Sequence, residues 1–220
     1  SSKRYPENAS SYIQFFFKKR LNLVLNMLKK VLDDRKELKL LEIGCADGVV
    51  LREVVSKMDN SFSQIVGIDI AERMIDTARL FNKSLKTTYF VRGSEAFSEK
   101  FDLVLELGVI NYTDFEKDLK YVLDNLNING FYILSVAGKD SLNNFFQGGD
   151  NQYQNLLSYK EYEDIIKKYF IIKKIIPCGF YIPFLWRLPS LARILQTIFE
   201  EMFFFLPNLY HEKIYFLEKK

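Results

Sequence analysis

Apolar residues recur at steps of three and four along residues 11–32: Ile13, Phe17, Leu21, Val24, Leu28 and Val31. That period predicts an amphipathic helix, with Lys18, Lys19, Lys29 and Lys30 mostly off the stripe. A charged link leads to a short apolar run at 38–43, which reads as a buried strand. Beyond it the pattern alternates. Helical periodicity covers 49–58, 71–82 and 114–126, and strand-like runs cover 64–70, 87–92, 101–107 and 131–137. Such alternation predicts a parallel sheet with helices on both faces. The turn Asn127-Ile128-Asn129-Gly130 predicts a helix stop before a strand begins at 131.

The second half changes character. Residues 138–157 are rich in Asn, Gln and Gly and read as a loop, followed by a helix at 159–168 and a strand at 169–176. Residues 177–210 carry four prolines and many aromatics. Within them Leu191, Ile194, Leu195, Ile198 and Met202 form a helical stripe, with Ser190 as the expected N-cap. The chain closes with a strand-like segment at 211–217.

At 220 residues the chain suits one large α/β domain, 1–220, with a sizeable core. A composition of 48% hydrophobic and 27% charged residues is ordinary for a soluble protein. The net charge of +3 is too weak to point to nucleic acid. Cys45 and Cys178 lie far apart, without zinc-ligand or disulfide spacing, which suits a reduced, cytoplasmic chain. No His, Asp or Glu cluster at ligand spacing suggests a metal. The run 175–186 is too short to span a bilayer and contains two prolines.

The chemistry concentrates at 40–48. There an apolar run carries Glu42 near its end and enters a loop of small residues, Gly44-Cys45-Ala46-Asp47-Gly48, before a helix. Small residues let backbone N–H groups approach a ligand, and the helix N-terminus adds a positive dipole end. The next apolar run ends in Asp69. Strand, glycine loop, helix, strand and acid outline a nucleotide-binding half. A nicotinamide site prefers G-x-G-x-x-G, but here Gly44, Ala46 and Val49 hold those places and Gly48 falls outside.

Four segments in order resemble the class I S-adenosylmethionine-dependent methyltransferases. They are the loop 40–48, the segment 66–74 around Asp69, the segment 101–109, and the turn 126–131. The resemblance implies a Rossmann-like three-layer sandwich of about seven strands, mostly parallel with an antiparallel last strand. It also implies an N-terminal helix and a C-terminal helical insertion.

For the cofactor, S-adenosylmethionine, the resemblance implies contacts from Gly44, Cys45, Ala46 and Gly48 beneath the methionine part. Asp69, with Ile70 and Met74 after it, would meet the ribose and adenine side. Glu42 would hold the loop, Ser94 and Glu95 would lie near adenine, and Leu107 and Gly108 would serve the amino-acid end. The family often has Asp where Ser94 stands. Asn111 and Tyr112 are where the fold would place substrate-facing groups. His211, the sole histidine, is a candidate general base at the start of the last strand.

Residues 177–210 bear on the acceptor. A lid bearing Phe180, Tyr181, Phe184, Trp186, Phe203, Phe204 and Phe205 suits an apolar substrate. A bilayer contact with Arg187 and Arg193 toward headgroups, a cover for the sheet and a dimer contact also stay open. The expected partner is a small-molecule or lipid-like acceptor methylated at oxygen or nitrogen, not nucleic acid. An RNA or protein methyltransferase and a non-catalytic cofactor-binding subunit are the alternatives.

Overall fold

The computed structural model describes residues 11–32, 35–82, 86–95, 97, 99–146, 156–180, 187–203 and 205–220. Tyr181, Phe184, Trp186 and Phe204 lie outside the described residues.

Helix α1 (Tyr12–Leu32) precedes β1 (Leu38–Ile43), α2 (Val49–Met58), β2 (Phe62–Asp69), α3 (Glu72–Phe81) and β3 (Thr87–Val91). Then come β4 (Phe101–Leu107), α4 (Phe115–Asn125), β5 (Leu126–Ala137), α5 (Leu142–Phe146), α6 (Tyr159–Tyr169), β6 (Phe170–Cys178), α7 (Pro189–Met202) and β7 (Glu212–Lys219). The seven strands lie in the order β3-β2-β1-β4-β5-β7-β6, and β7 alone runs against the others. This is the expected sandwich with an antiparallel last strand.

Two cores hold the layers together. On one face α1, α2 and α3 bury Val24, Leu28, Leu51, Val54 and Ile75 against Leu40, Ile65 and Leu105. On the other, α4 and α6 bury Leu119, Val122, Tyr162 and Ile166 against Val66, Val104 and Leu134. Each fully buried side chain of this size contributes about 1.5–3 kcal/mol relative to exposure.

Several expectations are corrected. In α1 the buried stripe runs through Phe16, Leu21, Val24, Leu25 and Leu28, while Ile13 is exposed. Strand β5 begins at Leu126, so 127–130 belong to the strand, with Asn129 at φ 61° supplying the kink. The polar stretch 138–157 contains α5. Helix α7 is capped at Leu188 with Pro189 in its first turn, not at Ser190, because proline's fixed φ suits the first helical position. No described helix is long and apolar enough to cross a membrane.

Candidate functional site

Strand order reverses between β1 and β4, so a crevice opens beyond their carboxyl ends. Gly44 turns out of β1 at φ 73°, where glycine avoids the steric cost of a Cβ. A Cβ there would lie 2.2 Å from Val109 Cγ2, so the loop floor packs directly against the segment after β4. The N–H groups of Gly44 and Cys45 both donate to Ile68 O, at 2.8 and 3.0 Å. The Cys45 side chain is buried toward Gly67. Gly48 leaves room for Asn82 and Tyr89 of the protein itself.

Asp69 organises the bend. Its Oδ2 accepts from Ala46 N at 2.8 Å, and its Oδ1 accepts from Ala71 N at 2.9 Å before α3. A carboxylate oxygen has two acceptor positions, so the half-buried Asp69 retains capacity for a hydroxyl donor. Ile70 and Met74 are exposed beside it and offer apolar surface to a flat ring. Ser94 is exposed, its hydroxyl donating to Val91 O at 2.6 Å. Glu95 accepts from Tyr121 Oη at 2.6 Å and from Gly93 N, so it braces the loop after β3.

Glu42 is the electrostatic centre of the crevice. It is buried, and its Oε2 has no hydrogen-bond partner among the described residues. Burial pushes its carboxyl up to about 8; Arg20 pulls down, and Asp69 and Asp47 push further up. Buried polar groups are normally hydrogen-bonded, so an unanswered carboxylate oxygen here fits a cationic ligand. A sulfonium or an ammonium group would meet that requirement.

At the other side of the crevice Gly108 leaves β4 at φ 70°, its N–H donating to Ser135 O at 3.2 Å. A Cβ on Gly108 would lie 2.7 Å from the Arg20 guanidinium, so only glycine lets α1 approach this closely. Leu107 is buried at the strand end. Arg20 reaches from α1 to Glu212 of β7, with Nη1 3.2 and 3.1 Å from the carboxylate oxygens. Removing either partner of such a buried pair costs about 3–5 kcal/mol. Arg20 was missed from the sequence. Its signal is a charge three residues after Phe17 and next to Leu21, inside the apolar period.

His211 stands at the same edge, because the antiparallel β7 starts where β5 ends: Glu212 pairs with Ala137. Its ring meets Phe16 edge to face at 5.3 Å, and its Nδ1 lies 3.1 Å from Asn143 Nδ2. Burial, with a further push from Arg20 and against Glu212, holds its pKa below the usual imidazole range. With Asn143 donating, Nδ1 is the acceptor and the proton sits on Nε2. Turning the amide by half a rotation brings Oδ1, which has no partner among the described residues, to Nδ1–H and leaves Nε2 with a lone pair.

Asn111 requires a correction. It is buried, its Nδ2 donating to Ala137 O at 2.9 Å and to Tyr162 Oη at 3.2 Å, while its Oδ1 accepts from Ala137 N at 3.1 Å. The amide ties the loop after β4 to the end of β5 and does not face a substrate. Tyr112, next to it, is exposed. Among the described residues no group of His, Cys, Asp and Glu could hold a metal ion.

A family described as "Methyltransferase domain" matches residues 41–130. The chain is 27% identical over 173 residues to carboxy-S-adenosyl-L-methionine synthase of Nautilia profundicola, covering 74% of this chain and 71% of that protein. It is 26% identical over 144 residues to malonyl-[acyl-carrier protein] O-methyltransferase of Bacillus cereus, covering 63% and 53%. Magnesium protoporphyrin IX methyltransferase of Synechocystis PCC 6803, solved with bound SAH, superposes with a TM-score of 0.68 at 14% identity, covering 99% and 92% of the two chains. N-methyltransferase NodS of Bradyrhizobium japonicum WM9, also with SAH, gives a TM-score of 0.61 at 15% identity, covering 93% and 87%.

Proposed function

The chain is a class I S-adenosylmethionine-dependent methyltransferase, and from that premise we propose that it methylates an oxygen or nitrogen of a small-molecule or lipid-like acceptor. The observation that carries this reading is the His211 imidazole, held below its usual pKa at the same sheet edge as the Gly44–Asp69–Gly108 crevice. The relatives add support: the Bacillus cereus protein is named for an acyl-carrier-bound acceptor, and the Synechocystis structure for a porphyrin.

When bound, S-adenosylmethionine supplies a methyl on a sulfonium, whose leaving group needs no protonation. Glu42 faces the positive charge and Asp69 orients the ribose from the tied loop. Gly108 offers a close backbone edge to the amino-acid end. Holding acceptor and methyl in line is the main contribution, potentially worth about 7–11 kcal/mol. With Asn143 presenting Oδ1, His211 Nε2 takes the acceptor's proton as its nucleophile advances, a step typically worth about 10²–10⁴-fold.

Calorimetry with S-adenosylmethionine and with NAD tests the cofactor: binding of the first alone is expected, and indifference to it overturns the reading. Incubation with a methyl-labelled cofactor and panels of apolar alcohols, amines and acyl thioesters tests the acceptor. Label transfer to RNA or protein instead would overturn the acceptor class.

A further inference from the structure

Helix α7 is turned inside out relative to an ordinary surface helix. Its polar side faces the protein: Gln196 is 0% exposed and donates to Glu200 Oε1 at 2.8 Å. Glu200 also pairs with Lys19 of α1 and accepts from Phe180 N at 3.3 Å. Tyr210 Oη donates to its backbone carbonyl at 2.7 Å. Phe180 stacks on Phe199 and Phe203, which fixes the helix rotation from the aromatic side. The apolar stripe therefore points outward. Ile194 is 60% exposed and Met202 57%, with Leu191, Ile198 and Phe205 also exposed. At 1.5 Å per residue, Leu191 to Met202 extends about 16 Å, with the exposed Glu201 beside the stripe near its C-terminal end.

Two occupants compete for such a face, a second copy and a lipid surface. Charge decides between them. Helix α1 lies beside α7 in the same direction, since Lys19 pairs with Glu200 and Arg193 sits 6.0 Å from the Phe15 ring centre. It holds Lys18, Lys19, Arg20, Lys29 and Lys30 and no acidic residue. Of these, Lys18, Lys29 and Lys30 are exposed. A two-fold contact through α7 would bring two such basic helices toward each other. An anionic headgroup layer attracts them while the acyl boundary receives the apolar stripe.

We propose that α7 seats this protein on an anionic lipid surface, with α1 as its basic flank. The face joins the catalytic edge through the Phe180 cluster: Tyr210 meets Phe180 edge-on at 5.5 Å and directly precedes His211. A bilayer-resident acceptor would thus be presented beside the crevice. The docking itself does not depend on the identity of the acceptor.

The test is co-sedimentation of the full chain with vesicles of phosphatidylcholine alone and of phosphatidylcholine mixed with phosphatidylglycerol. Binding to the mixed vesicles is expected, weakened by salt. Ile194→Glu with Ile198→Glu is expected to lower it by at least about tenfold. Ile128→Glu, at an exposed site at the opposite end of β5, should leave it unchanged. Cofactor affinity in every variant reports folding and separates this proposal from the methyltransferase reading. No sedimentation with mixed vesicles, equal loss with Ile128→Glu, or a concentration-dependent dimer abolished by the α7 substitutions would overturn it.

Discussion

Glu42 and Glu106 are both buried acids on the central sheet, one facing α1 and the other facing α4. Burial lifts each to about 8. Their neighbours differ. Glu106 accepts from Tyr132 Oη, and the nearby Asp118 is held by Arg92 and Thr113, so that polar group is tied into the α4 layer. Glu42 faces Arg20, Asp69 and Asp47 at the open carboxyl edge, and each acid keeps one oxygen without a partner among the described residues, Oε2 in Glu42 and Oε1 in Glu106. A raised carboxyl alone therefore does not mark a site. Nor does an unanswered oxygen; the groups each acid faces, the Asp69 bend for Glu42 and the Arg92–Asp118 pair for Glu106, make the difference.

That contrast can be broken in graded steps. Asp69→Ala removes the loop tie and the proposed diol acceptor, and is expected to weaken cofactor binding by about 100-fold in calorimetry. His211→Ala should lower turnover at saturating cofactor by more than about tenfold with little change in cofactor affinity. Asn143→Asp should keep the base tautomer and favour the imidazolium, moving the acid limb of the rate profile to higher pH.

Glu42→Gln should weaken cofactor binding by about tenfold. In the unmodified protein, binding near pH 7 should release a proton, because a bound cation lowers the carboxyl from about 8. Calorimetry in buffers of different ionisation enthalpy should see that release, and should see none in Glu42→Gln. Glu106→Gln is expected to change turnover and affinity less than about twofold. Its effect belongs to stability. The folded-state pKa is raised, so the native state is favoured below the ordinary carboxylate range and loses that advantage as pH rises through about 8. Glu106→Gln should flatten this decline in thermal melts, whereas equal losses of cofactor affinity in the two Gln variants would erase the distinction.

The sheet was legible wherever local signals agreed. Strands at 38–43 and 101–107 and the helix at 49–58 have the expected bounds, because short apolar runs meet small-residue loops and charged links there. The loop and Asp69 were legible by spacing. What escaped depends on contacts between distant segments. Glu200 gathers partners from α1 and from residue 180, and so rotates α7 against its own hydrophobic period. Arg20 becomes a site-edge residue only because β7 returns Glu212 beside it. Asn111 looked exposed after β4, yet the end of β5 supplies both a donor and an acceptor for its amide.

The double grip of Asp69 on Ala46 and Ala71 has a kinetic corollary. The entrance is already shaped when a guest arrives, so capture requires no prior rearrangement of this bend. Its freedom was surrendered during folding, and later association need not meet that entropy again.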